Sequence, residues 1–425
     1  MSLLSEVLKC EVVPAMGCTE PISVALAAAY ASRAVGGKVW RVVAELDLGT
    51  FKNGMNVCIP GTNGAIGIPI AMALGAICGD PKNGLSILQN ISPKDLKEAN
   101  KLISNHEISV KPNFSKEYLY IKVKVKTDKG EGIAKVVRGH TNLVELTKNG
   151  VKIKKNELKN GVKLDDYRKI LRKTTIKELV SIAENANPKE LKYIKEGIEM
   201  NLRASEEGMK YNGFANQVSK MVKSGVLNDD FFSKVKITVS AASDGRMAGM
   251  SLPVMSSGGS GNQGVVAILV PYLFGKQYHI DENKILKSIA LSHLLNAYVK
   301  AFAGELSPIC QCAIAAGVGA SAGCVYQRKN DIKLIGYAIN NVANDLGGMF
   351  CNGANLGCAI KVASSAEAAI MSAMVALNGF CISESNGIIG KSPEETLQNL
   401  AKITCEGMGQ ANEVILGIMK SQKDL

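Results

Sequence analysis

From Leu119 to Thr127 the chain reads LYIKVKVKT, a strict alternation of apolar and polar side chains. A period of two puts every apolar residue on one face of a strand, and no helix can gather them that way. The stretch from Ile108 to Gly139 alternates about Lys129–Gly130, which signals a hairpin. TNLVELTKNGVKI adds a second strand pair about Asn149–Gly150. SPKDLKEANKLIS, just upstream, has the spacing of a polar amphipathic helix. Outside this region the pattern changes. Residues 1–90 read as alanine-rich helices joined by glycine turns. The clearest is EPISVALAAAYASRAVGG, with Pro21 near its start and Gly36–Gly37 at its stop. Charged helices follow the strands to about residue 230, and from Lys234 the chain is again rich in alanine, glycine and small polar residues. The expected fold is α+β and mainly α-helical. Residues 1–90 and 231–425 are expected to form the helical domain, and 91–230 a smaller inserted antiparallel α+β module with charged helices.

The charge is +12, with a pI near 9.0. The lysines are scattered, not interleaved with aromatics, and accompany no nucleic-acid motif, so they read as a solvated surface with no nucleic-acid partner. Eleven cysteines at irregular spacing do not make a disulfide scaffold. Reduced thiols in a cytoplasmic protein are expected. The first eighteen residues lack a basic segment followed by an apolar run. The longest apolar run, 265–274, is too short to span a bilayer, so no membrane is expected.

Seven of the eleven cysteines lie beyond residue 300. Cys310, Cys312 and Cys324 lie in GELSPICQCAIAAGVGASAGC, whose middle reads as a small-residue helix with Pro308 near its start. Residues two apart on a helix point about 200° away from each other, so only one of Cys310 and Cys312 can face a site if both are helical. Cys351 and Cys358 lie among Asn352, Gly353, Asn355 and Gly357, which permit a bent backbone and convergent sulfurs. Three such thiolates suit a soft metal or an iron–sulfur cluster. Zinc would want a fourth ligand, and no C-x-x-C pair or histidine beyond His293 supplies one. The competing reading is that these cysteines are small buried hydrophobes.

Cys18 stands just before a helix, where the dipole lowers a thiol pKa and favours a thiolate able to act as nucleophile or base. Glu20 would oppose that shift or serve as a base itself. The alternative is a cap neighbour without chemistry. Two glycine loops, IPGTNGAIGIP (59–69) and SSGGSGNQG (256–264), expose successive amides and hydroxyls. Thr62, Asn63 and Gly64 in the first, and Ser257, Gly258, Gly259, Ser260 and Asn262 in the second, are candidates to hold a substrate carboxylate. The second loop also matches G-x-G-x-x-G through Gly259, Gly261 and Gly264, without a βαβ rhythm around it. Arg246 reads as a turn partner of Asp244, or as a carboxylate clamp. Lys361 reads as a surface lysine.

Taken in order, PAMGCTEP, GTNGAIGIP, SGGSGNQG, LSPICQCAIAAGVGA and FCNGANLGC resemble the L-cysteine desulfidase family. That family is similar to the alpha chain of iron–sulfur L-serine dehydratases, and the resemblance spans nearly the whole chain. It implies a serine-dehydratase alpha-chain-like domain and an oxygen-sensitive [4Fe-4S] cluster held by three cysteines. It also implies conversion of L-cysteine to pyruvate, ammonia and hydrogen sulfide, without pyridoxal phosphate. Cys351 and Cys358 match the second and third ligands. The first falls in CQC, where Cys312 fits the pattern of a cysteine followed by a small-residue helix, and Cys310 is the alternative. Cys18 matches the family's proposed base. The dehydratases space their last two ligands more widely, so the short Cys351–Cys358 gap points to the desulfidase side. The implied mechanism has an open iron taking the substrate sulfur while the glycine loops hold the carboxylate. The rival readings are the same chemistry on L-serine or L-threonine, a nicotinamide oxidoreductase using the 259–264 loop, and a non-enzymatic iron–sulfur sensor. A small-molecule substrate and a homodimer are expected.

Overall fold

The computed structural model describes residues 2–116, 119–155, 164–304 and 307–422. A six-stranded sheet runs in the spatial order Ile108–Asn113, Val39–Asp47, Tyr120–Thr127, Gly130–Val137, Leu143–Lys148, Val151–Lys155. The first two strands pair in parallel and every later neighbour is antiparallel. Both hairpins turn where the alternation breaks. Tyr120–Thr127 buries Ile121, Val123 and Val125 and turns its lysines outward, as period two requires. The helix Thr19–Val35 lies across the buried face, and Gly36 stops it with a φ of 73°.

Strand Val39–Asp47 was not expected. Its sequence, VWRVVAELD, alternates imperfectly because a bulge between Val39 and Arg41 shifts the register. The strand has consequences for the whole architecture. It sits inside the sheet, so residues from the first ninety complete the module expected at 91–230. The buried cores group the chain accordingly. Val24, Ala28, Val42, Val123, Val125 and Val136 share one core. Leu4, Tyr167, Leu179, Ile198, Val239, Leu269, Leu291, Val318, Ile339 and Ala369 share another. The charged helices between 164 and 230 thus share their buried core with the later helical part.

The helices approach closely because small residues line their seams. Gly319 and Gly323 in Ile314–Arg328 face the backbone of Ser292 and Ser288 in Glu282–Ala303. Gly75 in Ile68–Cys78 rests against the carbonyl of Ala25, and an added methyl would overlap that oxygen. The Gly75→Ala protein is expected to lose roughly 1–3 kcal/mol of stability. Calorimetry would then show a lower unfolding midpoint than wild type. Helix Cys358–Leu377 is long and apolar enough to cross a membrane, but Val362, Ala366, Ala369 and Ala373 bury one of its faces in the helical core.

Candidate active site

Two cysteine-bearing loops are zipped together before either enters a helix. An isolated antiparallel bridge joins Ile309 to Phe350. The Cys310 amide donates to Met349 O at 2.7 Å, and the Cys351 amide to Pro308 O at 2.6 Å. The helix that follows begins only at Ile314, with Ala313 at its cap. Cys310 and Cys312 therefore lie in the turn ahead of it, and the helical geometry that would have separated them does not apply. Both thiols line one cavity of about 60 Å³ together with Cys351 and Cys358. In the second loop the chain bends at Gly353, whose φ is 88°. Asn355 Oδ1 accepts from the Gly357 amide at 2.8 Å and sets Cys358 at the start of its helix.

Cations surround these thiols. Arg246 is 2 % exposed and donates to Gly17 O and to Asn262 Oδ1. Gly261 has no side chain because the guanidinium occupies that space. Asp244 faces elsewhere. It lies in the same helix, Phe231–Met247, and accepts from the Ala215 amide at 2.8 Å. The expected Asp244–Arg246 pair does not form, since residues two apart on a helix face different ways. Burial pulls the Arg246 pKa down, opposed by Cys18, Cys312, Cys358 and Glu20. Lys52, 1 % exposed, donates to Cys351 O at 2.8 Å and Asn412 Oδ1 at 2.6 Å. Lys361, read as a surface residue, lines the cavity and donates to Phe350 O at 2.6 Å.

The neighbouring thiols differ in acidity. Cys310 is pushed up by its hydrogen bond to Cys312 and by burial. Cys312 is pulled down by accepting that bond, against burial, with Ser260 Oγ at 3.7 Å and the Arg246 charge adding to the pull. Cys312 is thus the more acidic of the pair. Burial pushes Cys358 up to about 12.

Cys18 caps Thr19–Val35, but its thiol does not bond the helix amides. It donates to Glu20 Oε2 at 2.7 Å. Burial, then the Glu20 charge, raises its pKa well above the usual thiol value. The pKa therefore moves opposite to the lowering expected at a helix start, because the thiol is buried and bonded to Glu20. Glu20 goes the other way. Burial would raise its pKa, but His140, Cys18 and Asn53 together bring it below the ordinary value. Asn53 Nδ2 donates to Glu20 Oε1 at 3.0 Å. The pair is a thiol beside a carboxylate.

The two glycine loops part company. Thr62 spends its hydroxyl on Ile59 O at 2.6 Å, and Asn63 and Gly64 form the turn, with φ of 54° and 96°. None of the three lines the cysteine cavity or its neighbour. The other loop does. Ser260 and Asn262 line the first cavity, and Gly258, Gly259 and Ser260 line a second that shares a wall with it. Ser257 lies beneath, its Oγ 2.8 Å from His293 Nδ1 and accepting from Asn296 Nδ2 at 2.8 Å. Asn53, His140, Gln263, Lys300 and Gln311 also reach the second cavity. None of these five stood out in the sequence: Asn53, His140 and Lys300 are isolated, and Gln263 and Gln311 stand beside candidates that drew the reading instead. The faint signal was Lys300, a lysine in an otherwise apolar stretch of helix.

Among the described residues no three His, Cys, Asp or Glu side chains meet at a single metal ion. The four thiols instead spread over the wall of one cavity. That spread fits a polynuclear iron–sulfur cluster, whose thiolates each take a separate iron, better than a mononuclear site.

Residues 82–417 match the family model described as serine dehydratase alpha chain, and this chain belongs to that family. Full-length relatives carry the name UPF0597 protein. The protein of Elusimicrobium minutum is 48% identical, over 99% of this chain and 100% of its own length. That of Geobacter sulfurreducens is 45% identical, over 100% and 99%. That of Clostridioides difficile is 36% identical, over 97% and 98%. The chain is therefore a serine-dehydratase-alpha-like protein, of a family associated with iron–sulfur lyases.

Proposed function

We propose that this protein is a [4Fe-4S]-dependent L-cysteine desulfidase that releases pyruvate, ammonia and hydrogen sulfide. The observation that carries the reading is four thiols and a Cys18–Glu20 pair facing one buried cavity. Cys312, Cys351 and Cys358 would hold the cluster, with Cys310 the alternative to Cys312. Bound there, the cluster would supply a Lewis-acidic iron to the departing sulfur.

The chain's own residues supply the rest. Arg246, Lys52 and Lys361 offset the charge of the thiolates and of the substrate's carboxylate. Cys18 takes the α-proton of the substrate as its own proton moves to Glu20, 2.7 Å away. The Cβ–S bond then breaks with its electrons going to sulfur. The aminoacrylate released hydrolyses in water to pyruvate and ammonia. The Gly259 and Ser260 amides are already spent, on Glu11 O and Ser257 O, so the substrate carboxylate falls to the Ser260 hydroxyl and the Lys300 ammonium. Pyridoxal phosphate has no part in this route.

The family match favours one rival, the same chemistry with hydroxide leaving from L-serine or L-threonine. Anaerobically purified protein given each amino acid in turn separates the two. Sulfide and pyruvate in equal amounts from L-cysteine, with turnover at least tenfold above that on L-serine, is the expected result. Pyruvate from L-serine with little sulfide from L-cysteine would replace the desulfidase with a dehydratase.

A further inference from the structure

The second cavity, of about 60 Å³, has an unusual wall. Asn53, Gln263 and Gln311 all line it and are 7 %, 4 % and 6 % exposed. In each the side-chain carbonyl oxygen is buried without a hydrogen-bond partner. Two of these amides cannot be turned over without loss. Asn53 already uses its nitrogen on Glu20 Oε1, and Gln311 uses its own on Gly304 O at 2.7 Å and Ser307 Oγ at 3.0 Å. The Glu20 carboxylate lines the same space. Unpaired buried acceptors are uncommon in native proteins, and several beside a carboxylate call for a cationic group with several hydrogens to donate. The opposite charge is present too. Lys300, 4 % exposed, donates to Gly258 O, and His140 lines the cavity with it.

We infer that the second cavity is a recognition site for the α-ammonium of an amino-acid substrate, received by Asn53 Oδ1, Gln263 Oε1, Gln311 Oε1 and Glu20. An ammonium has three hydrogens and one positive charge, which matches amide oxygens arrayed around a carboxylate. The substrate carboxylate lies toward Lys300 and the Ser260 hydroxyl, which line the same cavity. Because the two cavities share Glu20, Asn53, Ser260, Cys310, Cys312 and Cys351, one amino acid can reach both, with its side chain toward the cysteines. The inference rests on the amino-acid lyase reading above and adds its selectivity. Molecules with a free α-ammonium are accepted, and des-amino and N-acylated analogues are refused.

Binding of L-alanine and of propionate to the purified protein, measured by titration calorimetry, tests this apart from turnover. Gln263→Met keeps the length of the side chain and removes one acceptor. It is expected to weaken L-alanine binding about tenfold or more, as losing one hydrogen bond to a charged group does, and to leave propionate binding and iron content as in wild type. The wild type should bind L-alanine at least tenfold more tightly than propionate. Gln311→Met provides an independent second variant with the same expected loss. Equal affinity for L-alanine and propionate in the wild type, or unaltered L-alanine binding in both variants, would overturn the inference. Selective L-alanine binding by a protein that releases no sulfide from L-cysteine would support the ammonium site and remove the desulfidase reading alone.

Discussion

Cys351→Ala should strip the protein of iron, from about four atoms per chain in anaerobically purified wild type to nearly none. Its fold should survive. The bonds that seat this loop, Cys351 N to Pro308 O and Lys52 Nζ to Cys351 O, belong to the backbone and remain in the variant. The unfolding midpoint should therefore fall by no more than the effect of about 1 kcal/mol. The same assay separates the two candidates for the first ligand. Cys312 is the more acidic of its pair, helped by Arg246 and Ser260, whereas Cys310 is pushed the other way. Cys312→Ala should lose the iron and Cys310→Ala should keep most of it. Cys324, buried inside Ile314–Arg328 and away from the cavity, serves as the control that keeps its iron. Full iron and acid-labile sulfide in Cys351→Ala would end the cluster assignment.

Glu20→Gln should lower turnover by about 10²–10⁴-fold while iron content stays at the wild-type level. The glutamine fills the same space and can still accept from Asn53, but it cannot take a proton from Cys18. The pH profile tells a base from a structural prop. Glu20 has its pKa lowered and is ionised throughout the neutral range, so a Cys18–Glu20 pair should give a rate nearly flat between about pH 6 and 8. Cys18 alone has its pKa raised, so in the variant the residual rate should climb toward alkaline pH as the thiolate forms. A residual rate that is uniformly lower with an unchanged profile would assign Glu20 a packing role only.

The sequence made the sheet legible wherever strands were regular. LYIKVKVKT could be placed because its alternation was unbroken, whereas VWRVVAELD could not, because a bulge disturbs its period. The cysteine motifs were legible for a different reason, namely that thiols among glycines and asparagines are chemically conspicuous. Their electrostatics were not. Cys18 looked activated by its helix, and the structure buries it beside Glu20 instead, a fact fixed by packing and invisible in spacing. Arg246 looked paired with Asp244 because the two are neighbours in sequence, yet a helix turns them to different surroundings. The second cavity was the least legible part. Its residues come from the helix Leu48–Gly54, the loop at His140, the helix Glu282–Ala303 and the turn before Ile314, and only the tertiary fold brings them together.

Lys52 gives the centre an order of assembly. It grips the cysteine loop through Cys351 O and, with the same nitrogen, Asn412 in the helix Ala411–Ser421. A ribosome has made all four thiols before it makes Asn412. The loop that carries Cys351 is therefore fully clasped only once that late helix has docked. A half-made chain would carry the sulfurs without the clasp that holds them in place.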